Sequence, residues 1–205
     1  MSSDQTLNQS TSVDSDNLLD QLKRIEERAS KLAKYELTTP LSIDEFQGPL
    51  NASDSATRKL AADLLKPYVE SLEGRLDAVN PIFQQIDRIV VTINRFLSDK
   101  TISFKLSQGI SIKNSLDAVL DAAQLSSGEQ QLILLFCYVL TGRDRPSVFM
   151  IDEPEISLNV KWQRQLIDSL LQITEGANVQ FIFASHSIEL LSQHKNRVIK
   201  LAKPR

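Results

Sequence analysis

The fold of this chain is constrained most by two short apolar runs near its end, residues 147–151 (SVFMI) and 179–184 (VQFIFA). Each has the length of a buried strand, and residues 160–173 between them have the apolar spacing of a helix. A third run, 197–201 (RVIKL), follows another helical segment. Apolar strands that alternate with helices are typical of a parallel sheet covered on both faces. The sequence therefore predicts an α/β fold, with polar chemistry at the carboxyl ends of the strands.

The rest of the chain differs in composition from this α/β segment, which covers 124–205. Residues 1–16 are mostly Ser, Asp, Gln and Asn, so we expect a disordered lead-in. Residues 17–100 carry apolar side chains at intervals of three and four, which is typical of helices. Residues 101–123 alternate apolar and polar side chains around 107–109, which predicts a β-hairpin followed by a connection.

The helical segment is predicted to contain three helices. Asp16 can cap the first, and an irregular segment over 37–53 separates it from the second, which begins near Ser55. Pro67 is expected to bend or restart the second helix and Pro81 to end it, because a proline removes a backbone hydrogen bond inside a helix. A third helix follows. The first helix has one apolar stripe: Leu18, Leu22, Ile25, Ala29 and Leu32.

Composition excludes several classes of protein. No apolar run approaches the roughly 20 residues of a membrane-spanning helix, and the N-terminus lacks the basic and apolar regions of a secretory signal. A net charge of −3 argues against a globally basic nucleic-acid binder, although a local basic patch stays open. Cys137 is the single cysteine, so no internal disulfide can form. This fits a reducing, cytoplasmic location, although many secreted domains also lack disulfides.

Two carboxylates follow the strand over 147–151. Asp152 or Glu153 at this position can hold Mg²⁺, directly or through water, and the other can orient or deprotonate an attacking water. Taken alone, the pair is more typical of a solvated acidic turn.

A second candidate site is the start of the helix after residue 125. The sequence Ser126-Ser127-Gly128-Glu129 offers hydroxyls, free backbone N–H groups and a glycine that allows close approach, which together suit a phosphate. The alternative is an ordinary helix cap, in which Ser126 or Ser127 caps and Glu129 lies in the first turn.

His186 follows the strand over 179–184 and is expected at the carboxyl edge of the same sheet. A single histidine there is either a structural residue with its hydrogen bonds satisfied or a contact to a ligand.

The combination of these motifs, in this order, resembles the ABC-type ATPase superfamily. The closest resemblance within it is to the SMC/RecF/OLD-like ATPases of prokaryotic defence and repair, which are not transporters. LSSGEQQ resembles the signature motif, VFMIDEP the Walker B motif, EISLN the D-loop and FASHS the switch-histidine segment. The resemblance covers about residues 124–201. It implies the C-terminal part of a P-loop NTPase sheet with flanking helices, preceded by a helical segment and a β-hairpin.

The resemblance implies a role for each matching residue at the strand ends. Asp152 would hold Mg²⁺, Glu153 would position or activate the hydrolytic water, and His186 would contact the γ-phosphate of ATP.

Residues elsewhere in the motifs would serve an ATP-bridged dimer. Ser126, Ser127, Gly128 and Glu129 would bind the nucleotide held by the opposite subunit. Ser157 and Asn159 would run along the dimer interface, although Asn159 departs from the Asp or His usual at its position.

One expected element is missing from the 205 residues. A site of this class needs the Walker A loop, G-x-x-x-x-G-K-S/T, and no two glycines here are five positions apart. We therefore expect the C-terminal half of an ATPase domain. A truncated or split gene, a remnant with a regulatory role and an unfamiliar phosphate-binding loop all stay open.

Two functions remain. In the first, the chain completes an ATP sandwich with a half or homologous subunit that carries Walker A, and ATP hydrolysis occurs only in that assembly. The resemblance then implies DNA repair or phage defence, with DNA or an effector nuclease as partner and no membrane. In the second, the chain is a non-catalytic interaction or regulatory module that uses the helices near 55–97.

Overall fold

A computed structural model describes the backbone of residues 2–200 and the side chains of residues 15–200. The helices are α1 (Ser2–Ala33), α2 (Asp44–Leu50), α3 (Ser55–Phe96), α4 (Ser127–Gly142), α5 (Val160–Ile173) and α6 (Ile188–Gln193). The strands are β1 (Lys100–Lys105), β2 (Gly109–Asn114), β3 (Val119–Leu120), β4 (Ser147–Asp152) and β5 (Val179–Ala184). Short 3-10 helices cover Ala122–Gln124 and Lys195–Arg197.

The chain divides into two compact units. The first comprises the chain up to Gln84 together with Lys105–Gly109, and the second comprises Gln85–Phe104 and the chain from Ile110 onward. The division falls within α3, inside the segment 17–100 that was predicted to contain three helices.

The first unit is built on α1, α2 and the first part of α3. The predicted apolar stripe of α1 is confirmed, because all five of its side chains are buried. Its core contains Leu18, Leu22, Ile25, Ala29, Leu32, Ile43, Leu50, Val69 and Leu76. The burial of each large aliphatic side chain contributes about 1.5–3 kcal/mol.

Three details of this unit differ from the sequence prediction. Helix α1 begins at Ser2 rather than after residue 16, because extending a helix that has already formed needs only one further hydrogen bond per residue. Helix α2 lies within the segment that was expected to be irregular. Pro67 and Pro81 lie inside one continuous α3. The buried Val69 and Leu76 lie between the two prolines, and their packing offsets the lost backbone hydrogen bonds.

The second unit packs α4, α5 and the end of α3 around an aromatic centre. The ring of Phe96 lies 5.5 Å from that of Phe136 and 6.1 Å from that of Trp162, between centroids. The other large, fully buried side chains of this core are Ile93, Ile102, Leu132, Leu166, Leu170 and Ile173. This core fixes the helices that precede and follow β4.

The strands form two small sheets. Strands β1, β2 and β3 make one sheet in that order, so the predicted hairpin is confirmed and gains a short third strand. Gly109 has a φ of 73° at the turn, a conformation that glycine adopts without strain. Strands β4 and β5 are parallel, with Ser147 opposite Val179 and Asp152 opposite Ala184. The predicted α/β fold with a parallel sheet and flanking helices is confirmed.

Helices cover fewer faces of the β4–β5 pair than the sequence predicts. Phe149, Phe181 and Phe183 face the core of the second unit, but Met150 on the other face is 78% exposed. Within the part of the chain that the structure describes, helices cover one face only, so the expectation of two covered faces is wrong there.

The third apolar run does not add a strand within the described residues. Residues 195–197 form a 3-10 turn, in which the N–H of Val198 donates to the carbonyl of Lys195 at 3.4 Å. Because a strand needs a paired neighbour and these residues bond locally, the prediction is wrong for 197–200, while Leu201 lies outside the described residues.

None of the described helices is both long enough and apolar enough to cross a membrane.

Candidate functional site

The carboxyl edge of the β4–β5 pair carries the two predicted carboxylates. Asp152 ends β4 and is exposed. Glu153 follows with a φ of 45°, and its N–H donates to the carbonyl of Ala184 at 2.8 Å. This bond holds the two strand ends together and leaves both carboxylates at the edge of the sheet.

The structure brings Glu153 together with His186. The Nε2 atom of the histidine lies 3.5 Å from Oε1 of Glu153. The histidine side chain is 96% exposed, whereas that of Glu153 is 27% exposed. A carboxylate and an imidazole that were predicted from two different strand ends therefore face solvent as a pair. Such a pair can orient a water or exchange a proton with a bound group.

Asp152 can supply only some of the oxygen ligands that a magnesium ion needs. Among the described residues, no group of three or more His, Cys, Asp or Glu side chains is placed to hold a metal ion. Mg²⁺ is commonly bound by one or two carboxylates together with substrate phosphates and waters. An exposed Asp152 at a strand end fits that donor set, with the phosphates supplied by the nucleotide.

The start of α4 is a closed hydrogen-bonded cap. Oε2 of Glu129 accepts from the N–H of Ser126 at 2.7 Å and from its hydroxyl at 2.9 Å. The N–H of Glu129 donates back to the Ser126 hydroxyl at 3.3 Å. This is the capping box that the sequence left open as an alternative.

Lys100 completes the surroundings of Glu129. Its Nζ lies 3.0 Å from Oε1 of Glu129, whose side chain is buried. Burial acts to raise the pKa of Glu129, but the hydrogen bonds from Ser126 and the ion pair with Lys100 outweigh it, so the pKa lies below its ordinary value. The ion pair raises the pKa of Lys100. Ser127, also predicted to bind nucleotide, is exposed in the first turn.

Gly128 lies against the segment after Glu153. A Cβ at Gly128 would come 2.4 Å from the carbonyl oxygen of Ser157, so only glycine fits without a shift of the backbone. Ser157 itself has a φ of 65°. Asn159 caps α5, because its side chain accepts from the N–H of Trp162 at 2.9 Å. The backbone of Ser157 therefore lies against Gly128, and the Asn159 side chain serves as the N-terminal cap of α5.

Glu155 is the residue that sequence reasoning missed. It is 7% exposed, and its Oε1 accepts hydrogen bonds from the Ser185 hydroxyl and from the N–H of Ser187 at 3.0 Å. Burial acts to raise the pKa of Glu155, but hydrogen bonds, with Ser185 foremost, hold it below its ordinary value. Its signals in the sequence are a third acid directly after Asp152-Glu153-Pro154 and its place at the start of the D-loop, and neither indicates that the carboxylate is buried.

A family model matches most of the chain. Residues 7–192 match the family described as "AAA domain, putative AbiEii toxin, Type IV TA system". The chain belongs to this AAA-domain family. The predicted membership of the AAA-family ATPases is therefore confirmed, and a role in defence or repair stays a prediction.

Curated relatives of the chain are ATP-binding proteins. It is 29% identical over 195 residues to the zinc import ATP-binding protein ZnuC of Haemophilus ducreyi, which covers 89% of the chain and 72% of that relative. It is 32% identical over 109 residues to the phosphonates import ATP-binding protein PhnC of Lactobacillus delbrueckii subsp. bulgaricus. That match covers 53% of the chain and only 41% of PhnC.

Among solved structures, the chain is similar to an Smc head domain of Pyrococcus furiosus with an extended coiled coil, bound to the C-terminal domain of ScpA. The TM-score is 0.40 at 14% identity, over 89% of this chain and 49% of that one.

Proposed function

We propose that the chain supplies the signature, Walker B and switch-histidine half of an ATP-hydrolysing site, and that a Walker A-bearing half or subunit completes it. The observation that carries the proposal is the Glu153–His186 pair beside Asp152 at the carboxyl edge of two parallel strands, in a chain of the AAA-domain family. In open α/β sheets this edge is where ligands bind.

Each residue at this edge has a proposed task. Asp152 holds Mg²⁺, which neutralises charge on the phosphates when it is bound. Glu153 orients the attacking water and accepts its proton. His186 donates a hydrogen bond to the γ-phosphate from the exposed side of the edge. Because Glu153 is half-buried and His186 is free to turn toward solvent, the two groups can face one substrate from adjacent positions.

The start of α4 serves the nucleotide of the opposite subunit in this proposal. The Ser126 hydroxyl and the N–H of Glu129 take part in the capping box, so we assign the phosphate contact at this helix start to the exposed Ser127. Glu129 holds the cap in shape and Gly128 lets the D-loop approach it. The site residues predicted here thus divide into groups that contact phosphate and groups that support them.

The test is the variant Glu153→Gln in a complex with a Walker A-bearing chain. Loss of the base is expected to lower the rate of ATP hydrolysis about 10²–10⁴-fold while ATP stays bound in the complex. Glu175→Gln is the matched control, since Glu175 is exposed and precedes β5 at the opposite end of the strand. Hydrolysis by Glu153→Gln at the rate of the control would contradict the proposal.

The cellular role that we propose is a DNA transaction such as repair, or phage defence with an effector partner. A net charge of −3 means that DNA would contact a local patch or a partner chain. Stimulation of hydrolysis by DNA in the assembled complex tests the first role. If DNA has no effect while a co-assembled effector does, the second is favoured.

A second candidate function is an interaction module, and one observation favours it. Leu60 and Leu64 lie one helical turn apart on α3 and are 62% and 69% exposed. If alanine at Ser126, Asp152 and His186 leaves the biological role intact while Leu60→Gln or Leu64→Gln abolishes it, the interaction module is the correct function.

A further inference from the structure

Two side chains tie the D-loop to the segment that carries His186. Glu155 accepts hydrogen bonds from the hydroxyl of Ser185 and the N–H of Ser187. From α5, Oε1 of Gln163 accepts from the Ser187 hydroxyl at 2.8 Å. Its Nε2 donates to the carbonyl of Leu158 at 2.9 Å, at the end of the D-loop. Ser185 is therefore anchored to the D-loop, and Ser187 is anchored both to the D-loop and to the helix that follows it.

His186 itself has little to hold it. Its side chain is almost fully exposed, and the polar contact that the structure gives it among the described residues is the one at 3.5 Å to Glu153. The ring position therefore depends on the backbone of Ser185 and Ser187. That backbone also begins α6, because the Ser187 hydroxyl accepts from the N–H of Leu190 at 3.3 Å.

We infer that Glu155 and Gln163 are positioning residues that hold His186 beside Glu153 and couple it to the D-loop. The inference rests on the proposed ATPase function. It assigns no contact with ATP to either residue. Their effect passes through Ser185 and Ser187 to the histidine.

The turn around Glu155 supports the coupling to the D-loop. Glu153 and Ser157, two positions before and after it, both have positive φ, at 45° and 65°. The carbonyl of Glu155 accepts from the N–H of Leu158 at 3.0 Å, and that of Glu153 accepts from the N–H of Ile156 at 3.1 Å. Because these bonds fold the backbone on both sides of Glu155 into turns, we expect a shift of the D-loop to move the Glu155 carboxylate and the two serines bonded to it.

One oxygen of Glu155 is unexplained by a purely structural role. Its Oε2 is buried and makes no hydrogen bond among the described residues, although the Glu153 side chain interacts with the same carboxylate. Burying an unpaired carboxylate oxygen is costly, and such groups in native proteins call for a functional or solvent explanation.

The first part of the test needs no nucleotide. Hydrogen exchange at the Ser187 amide and the NMR signal of the His186 ring are measured in the 205-residue chain with Glu155→Ala, Glu155→Gln and Gln163→Leu. We expect exchange about tenfold faster in the alanine and leucine variants, with Glu155→Gln closer to wild type because it keeps one acceptor. Glu189→Gln is the matched control, since it removes an acid of α6 that pairs with Arg164 and leaves both links intact.

The second part measures ATP hydrolysis by the complex with a Walker A-bearing chain. We expect kcat to fall at least tenfold in Glu155→Ala with KM unchanged, and partial rescue in Glu155→Gln. Normal exchange, or normal kcat in a complex whose wild-type form is active, would overturn the inference. A wild-type complex without ATPase activity would instead overturn the proposed function. If Glu155→Ala does not fold, Gln163→Leu decides by the same readouts.

Discussion

Glu129 stabilises the start of α4 in two ways. One carboxylate oxygen closes the capping box with Ser126, and the other pairs with Lys100. Burial disfavours the ionised form of the carboxylate, but both interactions favour it more strongly, and the pKa lies below the ordinary value of 4.5. The ionised group therefore contributes stability that is fully present above about pH 4.5 and is lost as the pH falls through the lowered pKa.

Replacing this carboxylate should have a pH-dependent effect. Glu129→Gln is expected to lower the free energy of unfolding by about 1–3 kcal/mol at pH 7, because it leaves Lys100 without its buried partner. The difference from wild type should shrink toward pH 3, where Glu129 of the wild type also becomes protonated. Urea unfolding at the two pH values measures this, with the exposed Glu175→Gln as control. An equal difference at both values would contradict the interpretation.

Gly128 provides a second test at the scale of one residue. Gly128→Ala places a Cβ against the backbone carbonyl of Ser157, so we expect a loss of about 1–3 kcal/mol in the free energy of unfolding. Gly74→Ala is the matched control. No atom lies within 4 Å of the added Cβ there, and alanine in α3 should stabilise by about 1 kcal/mol. Equal thermal stability of the two variants would show that the D-loop backbone leaves room for a Cβ at Gly128.

At the scale of elements, α3 is the least expected feature. It runs through two exposed prolines, each of which lacks the N–H that the helix would bond. Pro67→Ala is expected to raise the free energy of unfolding by up to about 3 kcal/mol. Pro146→Ala, in the loop before β4, should have no gain and serves as control. Circular dichroism during thermal unfolding measures both, and no gain at Pro67 would mean that α3 is broken at that residue in solution.

The elements that sequence predicts well are those whose signal is local. The spacing of the apolar stripe in α1 and the alternation around the β1–β2 turn depend only on neighbouring residues, and both are confirmed. The continuity of α3 through Pro67 depends on Val69 and Leu76, whose partners are distant in sequence. Local spacing carries no information about such partners.

The candidate site likewise has one part that the local sequence predicts and another that depends on residues distant in sequence. The positions of Asp152 and Glu153 at the end of β4 follow from the sequence, because the apolar run that forms the strand stops at Ile151 and the two carboxylates come directly after it. The burial of Glu155 and its bonds to Ser185 and Ser187 join residues 30 and 32 positions apart. Their pairing depends on the parallel register of β4 and β5, which residue types alone do not specify.

At the scale of the whole molecule, the parallel pair is the part that most needs another element. Val148, Met150 and Ile182 are exposed on its outer face within the described residues. An exposed apolar sheet face is typical of a surface that another element covers. In the proposed assembly, the Walker A-bearing half supplies that cover together with the missing phosphate contacts.

The most direct measurement of this account is a calorimetric titration with Mg-ATP, first of the 205-residue chain and then of the chain with a Walker A-bearing partner. We predict no measurable binding to the chain alone and micromolar binding to the complex, with the affinity lost on Asp152→Ala. Micromolar binding by the chain alone would mean that its own residues hold the phosphates without a Walker A loop. That result would contradict the claim that the site is shared.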